Sequence, residues 1–444
     1  MIVYGYQRIR RLWRNTSWLV IARLIDASLM LVQVWIIALA LGKDRFGIWL
    51  LAVTWATTVR QVLDLRVWET ITRFVTQYRA QSKTHRAGAT IRVAFIVEAT
   101  TSAFAFGVVY STAEFVADLL LKDPAAANVI RVSALFTLTS CVSEPARAVL
   151  RVADWFRVSA LQSFLRSSMC ASAVVAACFY SPSVVGVMAA AAFAGLIGEV
   201  VLFVAAFGAV RAMDLHISGT EVRAAVPSVV REQMKFLGSS SVVGICGVVV
   251  TRLDILVVGA LGTPAAAGVY GLARRVVNQS SLVIQPLQDA VFPDVARIYV
   301  ESEEELQKFL FSLTCQLSLV VAPMCVLLSI IAPLAIPWVF GRDFIGAGLI
   351  AQILVWQLLW VPLIWFRGYL FVRDRLLLGI QLVVLDASIC GSALLLLVPM
   401  YGAYGAAWAV VIRSWIWCVT SLIVIRSEAN QPKSRAHRGT ERSA

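Results

Sequence analysis

The stretch LLLGIQLVVLDASICGSALLLLV, Leu376–Val398, is 23 residues long and carries a single charge, Asp386. As a helix rising 1.5 Å per residue it is about 35 Å long, enough to cross a hydrocarbon core of about 30 Å. A soluble core helix would show a polar face, and this run is apolar on nearly every side. The pattern recurs. Ser17–Leu41 is a run of the same kind, and Ala171–Val210 holds more than one. Across all 444 residues, 59% are hydrophobic and 15% charged, against roughly 45–50% and about 25% in a soluble domain. The chain reads as an all-α integral membrane protein.

Working outward from these runs gives twelve spans: 17–41, 46–70, 88–120, 125–149, 155–180, 184–210, 234–261, 264–296, 306–334, 344–370, 376–398 and 401–425. An even number puts both ends on one side. Segments on that side hold 24 Lys and Arg, among them Arg8, Lys83, Arg151, Arg223, Arg373 and Arg435. The opposite side holds four: Lys43, Arg45, Lys122 and Arg342. Basic loops stay in the cytoplasm, so both termini are expected there, in the cytoplasmic (inner) membrane of a bacterium. The net charge of +13 is therefore a topology signal, and a nucleic-acid partner is not expected. Residues 1–16 form a basic segment suited to the inner interface. Ala38-Leu39-Ala40 mimics a signal-peptidase site, but the run before it is too long for a signal peptide. The eight cysteines show no CxxC spacing, and neither a metal site nor a cofactor is expected.

The chain repeats itself at an offset of about 220 residues. Ala40-Leu41-Gly42 with Gly47-Ile48-Trp49-Leu50-Leu51-Ala52 returns as Ala260-Leu261-Gly262 with Gly268-Val269-Tyr270-Gly271-Leu272-Ala273. Ser168-Met169-Cys170-Ala171-Ser172 returns as Ser388-Ile389-Cys390-Gly391-Ser392. Pro182 and Gly186 are echoed by Pro399 and Gly402. Six spans per half make the repeats parallel, related by an axis along the membrane normal. The expected layout is an N-lobe at 17–210, a linker at 211–233, a C-lobe at 234–425 and a basic tail at 426–444. Two such lobes rocking about a site between them is the architecture of transporters.

Charges inside the spans need partners or water, since one at the bilayer centre costs about 2.5–3.5 kcal/mol by insertion scales. Arg252, Asp254, Arg274 and Arg275 lie close to mid-membrane on spans seven and eight. Arg274, Asn278, Ser281, Gln285 and Gln288 follow one another at steps of four and three, one face of a helix that reads as a cavity wall. Arg275, Gln279 and Asp289 widen it. Span two carries Thr57, Arg60 and Asp64 at similar steps, and span one carries Arg23 and Asp26. The expected substrate-facing set is Arg23, Arg60, Arg252, Arg274, Arg275, Asn278 and Gln285. Asp26, Asp64, Asp254 and Asp289 are expected to couple ions or to pair with these arginines. Intrahelical pairs Arg60–Asp64 and Arg23–Asp26 are one alternative, and Asp254 pairing with Arg274 or Arg275 across the hairpin is another. Glu98, Glu144, Glu199, Asp386 and Arg413 read as scattered groups, each a packing partner or a coupling group.

Several motifs carry a family resemblance. Leu41-Gly42 through Phe46-Gly47-Ile48-Trp49 resembles the first hairpin of bacterial oligosaccharide flippases in the multidrug/oligosaccharidyl-lipid/polysaccharide (MOP) superfamily. Arg252-x-Asp254-Ile255-Leu256-Val257-Val258-Gly259 with Gly268-Val269-Tyr270 and Ala273 resembles their seventh and eighth spans, and Phe292-Pro293 with Ala296-Arg297 the end of the eighth. The resemblance covers roughly residues 15–425. It implies two six-helix lobes in a V, alternating access, and a central cationic cavity for a polyprenyl-linked oligosaccharide held through pyrophosphate. In the related peptidoglycan-precursor flippases, arginines of spans one, two and eight line that cavity, and Arg23, Arg60 and Arg274 are nearest to them by span. Membrane lipids and other polysaccharide-assembly proteins are the implied partners. The competing classes are a cation-coupled multidrug antiporter, expected to use carboxylates, and a membrane enzyme of polysaccharide assembly, which would need a larger loop domain. Neither an Asp-x-Asp motif nor a nucleophile elbow is present, so no enzyme activity is expected.

Overall fold

The computed structural model describes residues 2–180, 182–279, 291, 295, 297–299, 302–373 and 375–429. Among these residues the regular structure is helical throughout, without a strand. Among the described residues, nine helices are long and apolar enough to cross a membrane. Two of the nine, Ile25–Val62 and Leu377–Ser427, are broken by a non-helical glycine, Gly42 (φ 69°, ψ 172°) and Gly402 (φ 57°, ψ −134°). A side chain with a Cβ disfavours such positive φ, and glycine does not. At Gly402 the chain reverses. Asp386 and Arg413, on either side of Gly402 and 27 residues apart, form a 2.8 Å ion pair; a straight helix would hold them about 40 Å apart. Leu377–Ser427 is therefore a pair of antiparallel spans, and Ile25–Val62 is two helices joined at Gly42. Pro264–Asn278 is a helix within the span expected at 264–296, most of whose remainder lies outside the described residues. The chain is an all-α membrane protein of about twelve spans.

Small polar residues start the helices at the turns between spans. Asp123, Ser183, Thr263 and Ser302 each accept a backbone N–H two or three residues ahead, at 2.9, 3.0, 3.2 and 3.4 Å. Such caps satisfy donors that a helix start leaves open. Pro124 and Pro264 occupy the following position, where the missing N–H is no loss.

The apolar core shows how the halves are arranged. At the end of the bundle carrying Gly42 and Gly262, one buried cluster runs through both halves, from Val34, Leu50 and Ile130 to Leu272, Ile350 and Val410. At the other end the core divides. Ile71, Tyr78, Ile91, Val149 and Leu202 form a cluster in the first half, and Leu306, Trp365, Phe366 and Leu382 form another in the second. The halves are fused at one end and separate at the other, which is the geometry of a V.

The two copies of the repeat meet at the fused end. A methyl group on Gly268 would lie 2.9 Å from Gly47 Cα, and one on Gly271 would strike Leu50. Gly47 and Gly268 are equivalent in the repeat, as are Leu50 and Gly271. Contact between equivalent positions is what a two-fold axis requires, and this axis passes between the two glycines. Trp35 Nε1 donates to Val339 O (2.7 Å) and Lys122 Nζ to Ala260 O (2.6 Å), joining the halves around the same seam.

Much of the linker expected at 211–233 is helical. Thr220–Leu261 is a single helix that begins after Gly219 and runs without interruption into the seventh span. Its first turns pack on the first half. The Tyr78 hydroxyl donates to Glu232 (2.7 Å) and the Gln233 amide to Thr90 Oγ1 (3.0 Å). Burial, reinforced by this bond and by the charge of Glu232, pushes Tyr78 up to about 12 and keeps its proton in place as donor.

Candidate functional site

Span eight begins with Tyr270, Arg274 and Asn278 at steps of four, hence on one face. That face meets Asp254 of span seven, whose exposure is 0%. Asp254 Oδ2 accepts from the Tyr270 hydroxyl (2.7 Å) and from Arg274 Nε (2.8 Å), and its Oδ1 accepts from Ile255 N–H (2.9 Å). Arg274 Nη1 donates onward to Asn278 Oδ1 (3.1 Å) and to Gln357 Oε1. The carboxylate thus fixes the guanidinium while the far side of the fork faces outward from the pair. This combines two sequence-based expectations: Asp254 holds the hairpin together, and Arg274 still lines a cavity.

The cavity has a volume of about 500 Å³, within the range of small-molecule sites. Its described walls come wholly from the second half. Arg274 and Asn278 contribute from span eight, Gln357, Trp360 and Arg367 from span ten, Asp386 from span eleven, and Arg413 and Trp417 from span twelve. Arg413 pairs with Asp386 at 2.8 Å. Arg367 is exposed to the cavity and makes no ion pair among the described residues; Asp386 of the same wall and Arg66 of the first half lie within electrostatic reach of it. Gln357 Nε2 and Arg413 Nε are buried donors without an acceptor. Three guanidiniums, two spare donors and one neutralised carboxylate make a wall that favours acceptor-rich, anionic ligands.

The other predicted residues lie elsewhere. Arg275 is half-buried and stacks on Trp49 of the first half, its Cζ 4.9 Å from the ring centroid. Arg252, also half-buried, lies within electrostatic reach of Arg275. Neither cation lines the cavity; Arg275 reaches across to the first half, and Arg252 lies beside it. Arg60, at 6% exposure, is ion-paired with Glu98 of span three, itself 1% exposed, and does not line this cavity. A lone charge inside an apolar helix finds the nearest opposite charge, here on the neighbouring span. Asp64 lies just beyond the helix. The helix ends at Val62, and Asp64 accepts the Arg66 N–H (2.8 Å) in the turn beyond, so it does not pair within the helix. Asp26 accepts hydroxyl hydrogen bonds from Ser163 (2.6 Å) and Ser167 (2.7 Å) of span five. Arg23 lies on the first helix with its side chain outside the described residues, as are Ser281, Gln285, Gln288 and Asp289 entirely.

Sequence reasoning missed Arg367, Gln357 and the Asp386–Arg413 pair as a unit. The pair had a signal in the repeat. Asp386 stands two residues before Ser388-Ile389-Cys390, and Arg166 stands two before the matching Ser168-Met169-Cys170. The same position carries opposite charge in the two halves. Arg166 lies within electrostatic reach of Glu199, on the next span, as Asp386 faces Arg413.

Comparison with known proteins adds the family. The sequence profile described as "Polysaccharide biosynthesis protein" matches residues 71–347, more than half of the chain. No curated protein matches. Among solved structures, an inward-facing multidrug resistance MATE family transporter of the MOP superfamily is 13% identical over 92% of this chain and 98% of its own, with a TM-score of 0.70. An outward-facing structure described in the same words gives 0.53, again at 13% identity, over 92% of this chain and 95% of its own. The lipid II flippase MurJ in an inward closed conformation gives 0.64 at 14% identity, over 91% of this chain and 87% of its own. The chain belongs to the polysaccharide biosynthesis protein family and has the fold of the MOP superfamily transporters.

Proposed function

We propose that this protein is a flippase that carries a polyprenyl-pyrophosphate-linked oligosaccharide from the inner to the outer leaflet of the cytoplasmic membrane, for surface polysaccharide biosynthesis. The observation that carries the reading is the polarity of the cavity: with Arg274 paired to Asp254 and Arg413 to Asp386, Arg367 leaves the described wall with an excess positive charge. A pyrophosphate crossing hydrocarbon unaided meets a desolvation penalty far above thermal energy. Guanidiniums in a wet cavity offset it, and their planar fork matches phosphate oxygens two at a time. The family supplies the polysaccharide context.

Topology and state complete the mechanism. With both termini cytoplasmic, the fused end lies outside and the V opens inward. The higher similarity to the inward-facing relative than to the outward-facing one supports that orientation. The cycle is then alternating access, the seam at Gly47 and Gly268 parting as the inner ends close. Residues 17–210 and 234–425 act as the two lobes. Asp26, which meets only hydroxyls among its described hydrogen-bond partners, is a candidate coupling group. Membrane lipids, and assembly proteins that take up the flipped product, are the partners of this reading. A multidrug antiporter would need a carboxylate in the cavity free to meet a drug cation, and Asp386, the carboxylate of its described wall, is committed to Arg413. A membrane enzyme is disfavoured for the same reason as in the sequence: the described connections leave no domain to hold donor and acceptor.

The test is a deletion strain complemented with variants. Deletion should leave lipid-linked oligosaccharide in the inner leaflet and sensitivity to cationic drugs unchanged. Arg274→Gln and Arg367→Gln, present in the membrane at normal levels, should restore little surface polysaccharide, and the lysine variants only part of it. Normal export by both glutamine variants would remove the anion mechanism. Accumulation of drug cations in the deletion strain would replace it with the antiporter.

A further inference from the structure

Arg275 and Arg252 do not line the cavity; Arg275 sits where the halves meet, and Arg252 lies within electrostatic reach of it. Each is half-buried, and neither makes a hydrogen bond or ion pair among the described residues. Two like charges in a low-dielectric cleft repel, and each guanidinium has five N–H groups to offer. What Arg275 touches is the face of Trp49, at 4.9 Å. Trp49 is 7% exposed and belongs to the first half. Its ring packs on Phe46 at 5.5 Å, and Phe46 meets Phe344 of the second half edge to face at 5.8 Å. A chain of contacts therefore runs from a cation in the cleft, through two aromatic rings, to the seam beside Gly47 and Gly268.

We propose that Arg275 on Trp49 is a latch that holds the seam closed, and that a pyrophosphate-class anion arriving between Arg252 and Arg275 releases it. This rests on the flippase reading and adds the cleft pair, within electrostatic reach of Arg274, to the groups that meet its pyrophosphate. The exchange of partners is favourable on simple grounds. A cation on a ring face is held by the ring quadrupole. A phosphate offers charge-assisted, bidentate hydrogen bonds, about twice as strong as neutral ones, and also screens Arg252 from Arg275. Once the guanidinium turns toward the anion, Trp49 loses its second-half partner and the seam loses one of its ties. Loading is thereby coupled to opening, and an empty transporter stays shut.

The experiment uses the full-length protein in nanodiscs, in a background without native cysteines, with spin labels at Asp44→Cys and Asp343→Cys. These positions are exposed and lie on opposite halves beside the seam. The probe is inorganic pyrophosphate. In the otherwise unaltered protein it should increase the population of long distances. Trp49→Leu should raise that population without ligand by between about 2- and 30-fold, the span of cation–π strengths, while keeping its affinity for pyrophosphate. Arg275→Gln should raise it as well, but lose about tenfold or more in affinity, as expected for a lost charge-assisted contact. Trp49→Phe, which keeps a ring face, should lie near the parent. A closed seam in Trp49→Leu, or a pyrophosphate response that survives Arg275→Gln, would overturn the latch. Export is measured separately in cells. Normal export in the deletion strain would sink the flippase reading while a pyrophosphate-driven opening still stood; a lost opening with defective export would do the reverse.

Discussion

Adding one methyl group at Gly268 should drive this protein toward the state in which its seam is open. In the described structure the new carbon would lie 2.9 Å from Gly47 Cα and 3.0 Å from both Gly47 N and Lys43 O. All three are backbone atoms, so no change of rotamer relieves the contact. Overpacking of this kind costs about 1–3 kcal/mol. The cost falls on the closed state alone, because parting the halves removes the contact. At 1.4 kcal/mol per factor of ten, Gly268→Ala should shift the balance about 5- to 150-fold toward the parted state. Distances between labels at positions 44 and 343 report the shift. Gly391→Ala is the control, since a methyl group there meets nothing within 4 Å. A Gly268→Ala protein that folds, melts as the parent does and shows the parent's distance distribution would refute the argument that the glycine seam is a closed gate.

Other outcomes follow from the same geometry. Asp254→Asn leaves Arg274, 5% exposed, without its carboxylate and should cost about 3–5 kcal/mol, read as a lower melting temperature in detergent. Asp386→Asn strands Arg413 and should destabilise by up to about 3 kcal/mol, whereas Asp386→Leu with Arg413→Leu should recover most of it; equal losses in the two proteins would mean that the pair is not what matters. Single cysteines near Arg223 and Arg373 should resist an impermeant thiol reagent in intact cells while those near Asp44 and Asp343 label, and labelling at 223 from outside would invert the topology.

How much of this was legible in the sequence depends on the range of each interaction. Apolar runs report the solvent around a helix, so the membrane fold could be read from Leu376–Val398 and its like. The repeat reported symmetry, and the contact of Gly47 with Gly268 is its structural expression. Asp254 and Arg274 flank a short turn on adjacent antiparallel helices, so their pairing was within reach of a hairpin argument. Arg60 with Glu98, and Asp386 with Arg413, were not. Helical periodicity identifies partners three or four residues away, and these are 38 and 27 residues apart. The helix end at Val62 had no warning either, because the turn that follows uses Arg66 at φ 51° where a glycine would have marked it. Arg367 offered only a lone charge in an apolar segment, and nothing local says whether such a charge is paired or open.

The arginines divide into two kinds by what holds them, and the division makes mechanical sense. Arg274 and Arg413 are tied to carboxylates on neighbouring helices of one half. Such pairs move with that half as a rigid unit, so the cavity keeps its shape and its charge through a cycle of rocking. Arg275 and Arg252 have no carboxylate within reach of an ion pair among the described residues, and Arg275 rests on the opposite half. Their environment changes whenever the halves move, which suits them to sensing. The first half has its own charged interior in Arg60, Glu98, Arg166 and Glu199, but the two arginines there face glutamates, and the repeat position of Asp386 is occupied by Arg166. A frame with two-fold pseudosymmetry therefore carries an asymmetric set of charges: a binding wall in one half, a buried framework in the other, and between them two cations free to answer a ligand.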